Sequence, residues 1–278
     1  MSGFSAEGSA ALLCFAGIHE RYQTFFSLIG AGVGVPLLRG LSAARVRSAF
    51  FYEQKGGKTM PDSPKTSRSH RVIQYLLWFV LGAACFSVSQ PLLRIPLLGL
   101  LNHSMWFTMF STLHPVLAVV LIGFSAGVFE EGFRFLFKCF LLRPEKCTIA
   151  QPLLFGLGHG GIEAGQILIP LLMQGYTFSV LHMALIERVL AMLLHLILTV
   201  IVWNGFQTGH RFRYLAAAIV LHGLVDSVLP LLARGGMQVA YVELIFAGMV
   251  LCAGAYAVLS RKLYLQGGTE NEEENAEA

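Results

Sequence analysis

Residues 115–142 read PVLAVVLIGFSAGVFEEGFRFLFKCFLL. A helix needs roughly 20 apolar residues to cross a bilayer, and this run is long enough. Yet its second half, FEEGFRF at 129–135, carries Glu130, Glu131 and Arg134. An ionisable group at the centre of a spanning helix costs roughly 2.5–3.5 kcal/mol on insertion scales. Groups kept at that cost usually face a bundle interior, pair with one another, or do chemistry.

The rest of the chain matches this run. Of 278 residues, 55% are hydrophobic and 13% charged, and the mean hydropathy is +0.64; soluble domains carry about 25% charged residues. Apolar blocks separated by short polar breaks predict an all-α, polytopic transmembrane bundle of about seven spans, near 24–43, 73–101, 114–142, 149–174, 184–205, 214–233 and 240–263. Pro91 and Pro96 predict a break in the second. Residues 1–72 are expected to hold one span and a basic, flexible loop over 52–72, residues 73–263 the bundle that carries the site, and residues 264–278 a disordered acidic tail.

Basic residues orient such a chain. Arg45 to Arg71, Arg143 with Lys146, Arg211 with Arg213, and Arg261 with Lys262 all fall on one side if seven spans are counted. That side is the cytoplasm, with the C-terminus in it, the N-terminus outside and the cell membrane as the location. The net charge of +4 is therefore loop bias rather than a nucleic-acid signal. No nucleotide-cradling motif occurs, since GLGHGG lies in an apolar helix without strands around it. Cys14, Cys85, Cys139, Cys147 and Cys252 lack metal-ligand spacing and read as small apolar residues. No basic segment precedes the short apolar stretch from Ser9 to Ile18, so no cleavable signal peptide is expected. No internal repeat is evident.

Ionisable residues cluster in four consecutive spans, the expected catalytic core. Glu130 and Arg134 are four apart and share a helix face, with Glu131 about 100° away. In FGLGHGGIEAG, His159 and Glu163 are again four apart, among glycines that permit close helix approach. ERVLAMLLH holds Glu187 and Arg188 near the outer end, where snorkelling is possible, and His195 deeper. HGLVD places His222 and Asp226 on one face. Three histidines with carboxylates suit a transition metal such as zinc and a water activated beside it. They equally suit a proton or ion relay in a transporter, or the structural core of a non-catalytic membrane scaffold. Residue types alone do not separate these.

These motifs resemble the CAAX-protease and bacteriocin-processing superfamily of intramembrane proteases. EEGFR matches its EExxR motif, Phe155 to His159 its FxxxH, and HGLVD its HxxxN with Asp226 in place of Asn. GLGHGGIEA, ERVLAMLLH, HGLVD and the earlier VSQPLLRIPLL are similar to one branch, the YhfC family of intramembrane metalloproteases. The resemblance implies peptide-bond hydrolysis within the bilayer on a membrane-associated peptide or protein. It implies Glu130 as the base, Glu131 and Arg134 as electrostatic support, and His159 as a catalytic or metal-binding residue. His222 would bind metal or stabilise the oxyanion, with Asp226 orienting it. Zinc would be held by His159, His195 and His222, with Glu163 and Asp226 behind them; a glutamate–histidine mechanism without metal is the alternative.

Overall fold

The apolar runs fold as helices in a computed structural model that describes residues 68–142 and 144–264. The first expected span, most of the 52–72 stretch and the acidic tail lie outside the described residues. In chain order the helices are α1 (Arg68–Ser87), a π-helical segment (Val88–Arg94), α2 (Ile95–Asn102), α3 (Met105–Leu113), α4 (Pro115–Phe140), α5 (Ala150–Met173), α6 (Phe178–Thr208), α7 (Arg211–Arg234) and α8 (Val239–Leu259), followed by a 3₁₀ turn (Ser260–Leu263). No strand occurs among the described residues. The protein is a polytopic helical bundle.

Five stretches are long and apolar enough to cross a membrane: Ser69–Asn102, Pro115–Phe140, Leu181–Thr208, Arg211–Arg234 and Val239–Leu263. Helix α5 has 24 residues but is not among them. Gln151, His159, Glu163, Gln166 and its glycines dilute its apolar content.

Three boundaries differ from expectation. Arg68 to Val72 form the first turn of α1 rather than loop. Helix α6 starts at Phe178, earlier than 184, after a turn in which Gly175 takes φ 80. The prolines do not break the second span. Pro91 sits inside the π segment and Pro96 in the first turn of α2, so the helical run continues to Asn102. Proline lacks an N–H and crowds the carbonyl four residues back. A widened turn absorbs both defects and changes which side chains face the bundle.

Glycines set how closely the helices approach. Gly123 lies against Asp226 and Ser227, while Gly127 lies against Ile219 and Gly223, so α4 and α7 run antiparallel. Gly156 and Gly160 meet the α6 backbone at Leu196 and Met192. Gly82 of α1 meets the carbonyl of Phe155, and Gly158 meets that of Phe79. The glycine-rich run of α5 thus has two faces, one for α6 and one for α1. A Cβ at position 158 would overlap the Phe79 carbonyl, and backbone cannot yield as a side chain can. Gly158→Ala is expected to lower stability by about 1–3 kcal/mol or more. Gly132→Ala has nothing within 4 Å of the new methyl and is expected to be neutral or slightly stabilising. Thermal unfolding in detergent distinguishes the two.

Candidate active site

Four antiparallel helices packed at glycine contacts leave little room between them, and their ionisable side chains converge there. Glu130, Glu131 and Arg134 of α4, His159 of α5, His195 of α6 and His222 of α7 are all buried.

The pairings run between helices more than along them. His159 Nε2 lies 2.8 Å from Glu130 Oε2. His222 Nδ1 donates to Glu131 Oε1 at 2.7 Å. Arg134 Nη1 donates to the same Glu131 oxygen at 2.5 Å, while its Nη2 lies 3.6 Å from Glu130 Oε2. The close partner of Arg134 is therefore Glu131, which leaves Glu130 to face the histidines. His195 Nδ1 stands 2.6 Å from Arg134 Nη2 and 3.7 Å from Glu130 Oε2. Its other nitrogen, Nε2, hydrogen-bonds Glu163. Asp226 is 3.7 Å from His222 Nε2, so the shortest bond holding that ring comes from Glu131.

The i,i+4 histidine–carboxylate pairs therefore open outward from each helix. His159 reaches Glu130 and Glu163 reaches His195. Arg188, on sequence equally suited to the interface, is buried and donates to Glu163 at 2.9 Å and to Glu187 at 2.6 Å.

Donor atoms of Glu130, His159 and His195 all lie within 4.8 Å of one another. His222 stands outside this group, with Nε2 4.0 Å from Glu130 Oε1. Two imidazoles and a carboxylate form a donor set suited to a first-row divalent ion. The tautomers fit as well. A carboxylate on His195 Nε2 fixes the N–H there and leaves Nδ1 as the lone pair, the arrangement behind many metal-bound histidines. That lone pair now accepts from Arg134, so a guanidinium and an ion would compete for it. Three buried atoms at this centre, Glu131 Oε2, Arg134 Nε and His159 Nδ1, have no hydrogen-bond partner. Buried polar atoms without partners point to a further water, ion or substrate group.

Two residues without a sequence-assigned role complete the site. The π segment aims Gln90 at Glu130, and its Nε2 donates to Oε1. Its amide oxygen accepts from Arg94 Nη1 at 3.0 Å, which fixes the amide's orientation, since a guanidinium only donates. Arg94 is anchored on α4 by Ser125 Oγ at 2.9 Å and the Ile122 carbonyl at 2.8 Å. The signal was available: Gln90 and Arg94 are four apart in an apolar run, as the other pairs are. Gln90→Leu removes a donor to a carboxylate, a bond of about 1.5–3 kcal/mol, so a ten- to hundredfold slower cleavage at unchanged folded yield is expected. Single-turnover rates beside thermal melts check it.

Below the centre, Lys138 is buried and donates to Gln151 Oε1 at 2.6 Å and to the carbonyls of Leu142 and Pro144 at 3.0 Å. Trp203 Nε1 donates to the same Gln151 oxygen at 3.0 Å. Burial raises the Cys147 thiol above its ordinary value, although Lys138 Nζ lies 3.7 Å from the sulfur. Lysine, glutamine and thiol thus form an internal tie at the end of α4 rather than a reactive pair.

The helices and their buried Glu–His centre define a multi-pass membrane protein with an acid–base, metal-compatible core. Residues 68–182 and 166–247 match the family described as YhfC intramembrane metalloprotease. The chain belongs to that family. No curated protein and no solved structure matches it.

Proposed function

We propose that this protein is an intramembrane endopeptidase that hydrolyses a peptide bond of a membrane-associated substrate, with Glu130 as general base. The observation that carries the reading is the placement of Glu130, buried yet in reach of His159, His195 and His222. Glu130 removes a proton from water, and the hydroxide attacks the scissile carbonyl. His222 is oriented by Glu131 and, when protonated, presents Nε2–H to the oxyanion. Glu130 then returns its proton to the leaving amine. Arg134 holds Glu131 in place and keeps the paired carboxylates from repelling one another. Asp226, 3.7 Å from His222 Nε2, adds negative charge beside that ring.

A divalent ion would be held by His159 and His195 with Glu130 beside them, and Glu163 behind His195; zinc is the proposed ion, and bound there it would supply Lewis-acid polarisation. The wider kinship proposed is with the CAAX-protease and bacteriocin-processing superfamily, carried by Glu130, Glu131, Arg134, His159 and His222 in motif order. In the proposed cell-membrane orientation the basic loops are cytoplasmic.

The test is direct. Wild-type protein and Glu130→Gln are reconstituted in liposomes with a pool of transmembrane peptides, and products are read by mass spectrometry. Products with wild type alone are expected. Products with neither, or with both equally, would contradict the reading.

A further inference from the structure

Resting on the protease reading for its substrate part, we infer that water and the scissile segment reach Glu130 from the end of the bundle formed by the α5–α6 and α7–α8 turns. The substrate class is then a membrane protein whose cleaved bond lies in the non-cytoplasmic half of the bilayer.

The two ends of the site differ. Toward the basic loops, Lys138, Gln151, Phe155 and Trp203 are buried. Lys138 is saturated by Gln151 and two carbonyls, Trp203 closes on Gln151, and the Phe155 and Trp203 rings pack at a tilt of 47° with centroids 5.1 Å apart. Lys138 and Trp203 thus both donate to Gln151 rather than toward Glu130.

Toward the opposite end the polar residues open out. The Asp226 side chain is 38% exposed and that of Glu163 18%, against 4% for Glu130 and 0% for His159. Asp226 lies 3.7 Å from His222 Nε2, and its backbone packs against Gly123 of α4, so α4 and α7 meet beside this carboxylate. Asp226 is eight residues, about 12 Å, from the end of α7 at Arg234, and Glu163 ten residues, about 15 Å, from the end of α5 at Met173. Gln166, half-buried, continues the polar line outward. A carboxylate this open inside a spanning helix belongs beside water, not hydrocarbon.

Orientation follows from charge. Arg71, Lys146, Arg211, Arg213, Arg261 and Lys262 all lie at the sealed end, where α1 begins, α4 and α6 finish and α8 gives way to the 3₁₀ turn. Arg234 lies at the open one. The sealed end is cytoplasmic, so the open end is not.

The experiment is thiol accessibility. Gln166→Cys and Asp226→Cys are expressed in the full chain, and a membrane-impermeant maleimide is applied to right-side-out and inside-out vesicles, with the parent chain as baseline. Labelling above baseline, at least fivefold faster from the non-cytoplasmic face, is expected for both. Equal or faster labelling from the cytoplasmic face overturns the inference. So does labelling from neither face when the same protein, unfolded in detergent, labels fully. Labelling reports water access whether or not the chain cuts, so its failure leaves the role of Glu130 untouched, and loss of cleavage in Glu130→Gln leaves the route untouched.

Discussion

Glu130→Gln is expected to lower the cleavage rate by about 10²–10⁴-fold, the usual contribution of a positioned general base, while the protein inserts and folds at wild-type level. Glutamine keeps the shape of the side chain and still accepts from Gln90 through its amide oxygen. The main ion pair of Arg134 is with Glu131 at 2.5 Å, against 3.6 Å to Glu130, so neutralising Glu130 does not orphan the guanidinium. A fall in rate with an unchanged thermal midpoint separates this role from a structural one.

Arg134→Met has the largest expected effect on stability. The guanidinium and the Glu131 carboxylate are both fully buried. Removing one partner of such a pair costs about 3–5 kcal/mol, because the other charge remains in a low-dielectric interior. Two carboxylates, Glu130 and Glu131, would then face each other with only histidines to compensate. The double variant Arg134→Met with Glu131→Gln is expected to recover much of the stability and none of the activity. Melting midpoints of both variants in one detergent provide the check; equal losses would contradict the pairing.

Much of this architecture is legible in the sequence because a bilayer admits few solutions. Long apolar runs must be helices there, and the runs around Pro115, Arg211 and Val239 give helices within a few residues of the expected bounds. The candidate residues were legible for the same reason: Glu130, His159, His195 and His222 are costly where they stand. Their partners were not. Spacing within one helix suggested His159 with Glu163 and His222 with Asp226; the second pair is in contact at 3.7 Å, but the shorter bonds of both histidines run to a neighbouring helix. His159 thus meets Glu130 and Glu163 meets His195. Which helices touch depends on Gly82, Gly127, Gly156 and Gly158 finding their partners, and no local pattern states that. The spacing of Gln90 and Arg94 was visible, but that Gln90 reaches Glu130 was not, because a π turn aims it. Lys138 stayed hidden because a lysine near a helix end ordinarily snorkels outward, whereas this one turns inward to Gln151.

The central claim is that Glu130 activates water for peptide-bond hydrolysis. Its most direct measurement compares new protein N-termini in membranes of cells that express wild type, Glu130→Gln, or no protein. The account predicts a set of termini present with wild type alone, at equal membrane levels of the two proteins, and those termini name the substrate and its cleavage site. Identical termini in wild type and Glu130→Gln would contradict it, and the buried charges would then be structural or serve transport.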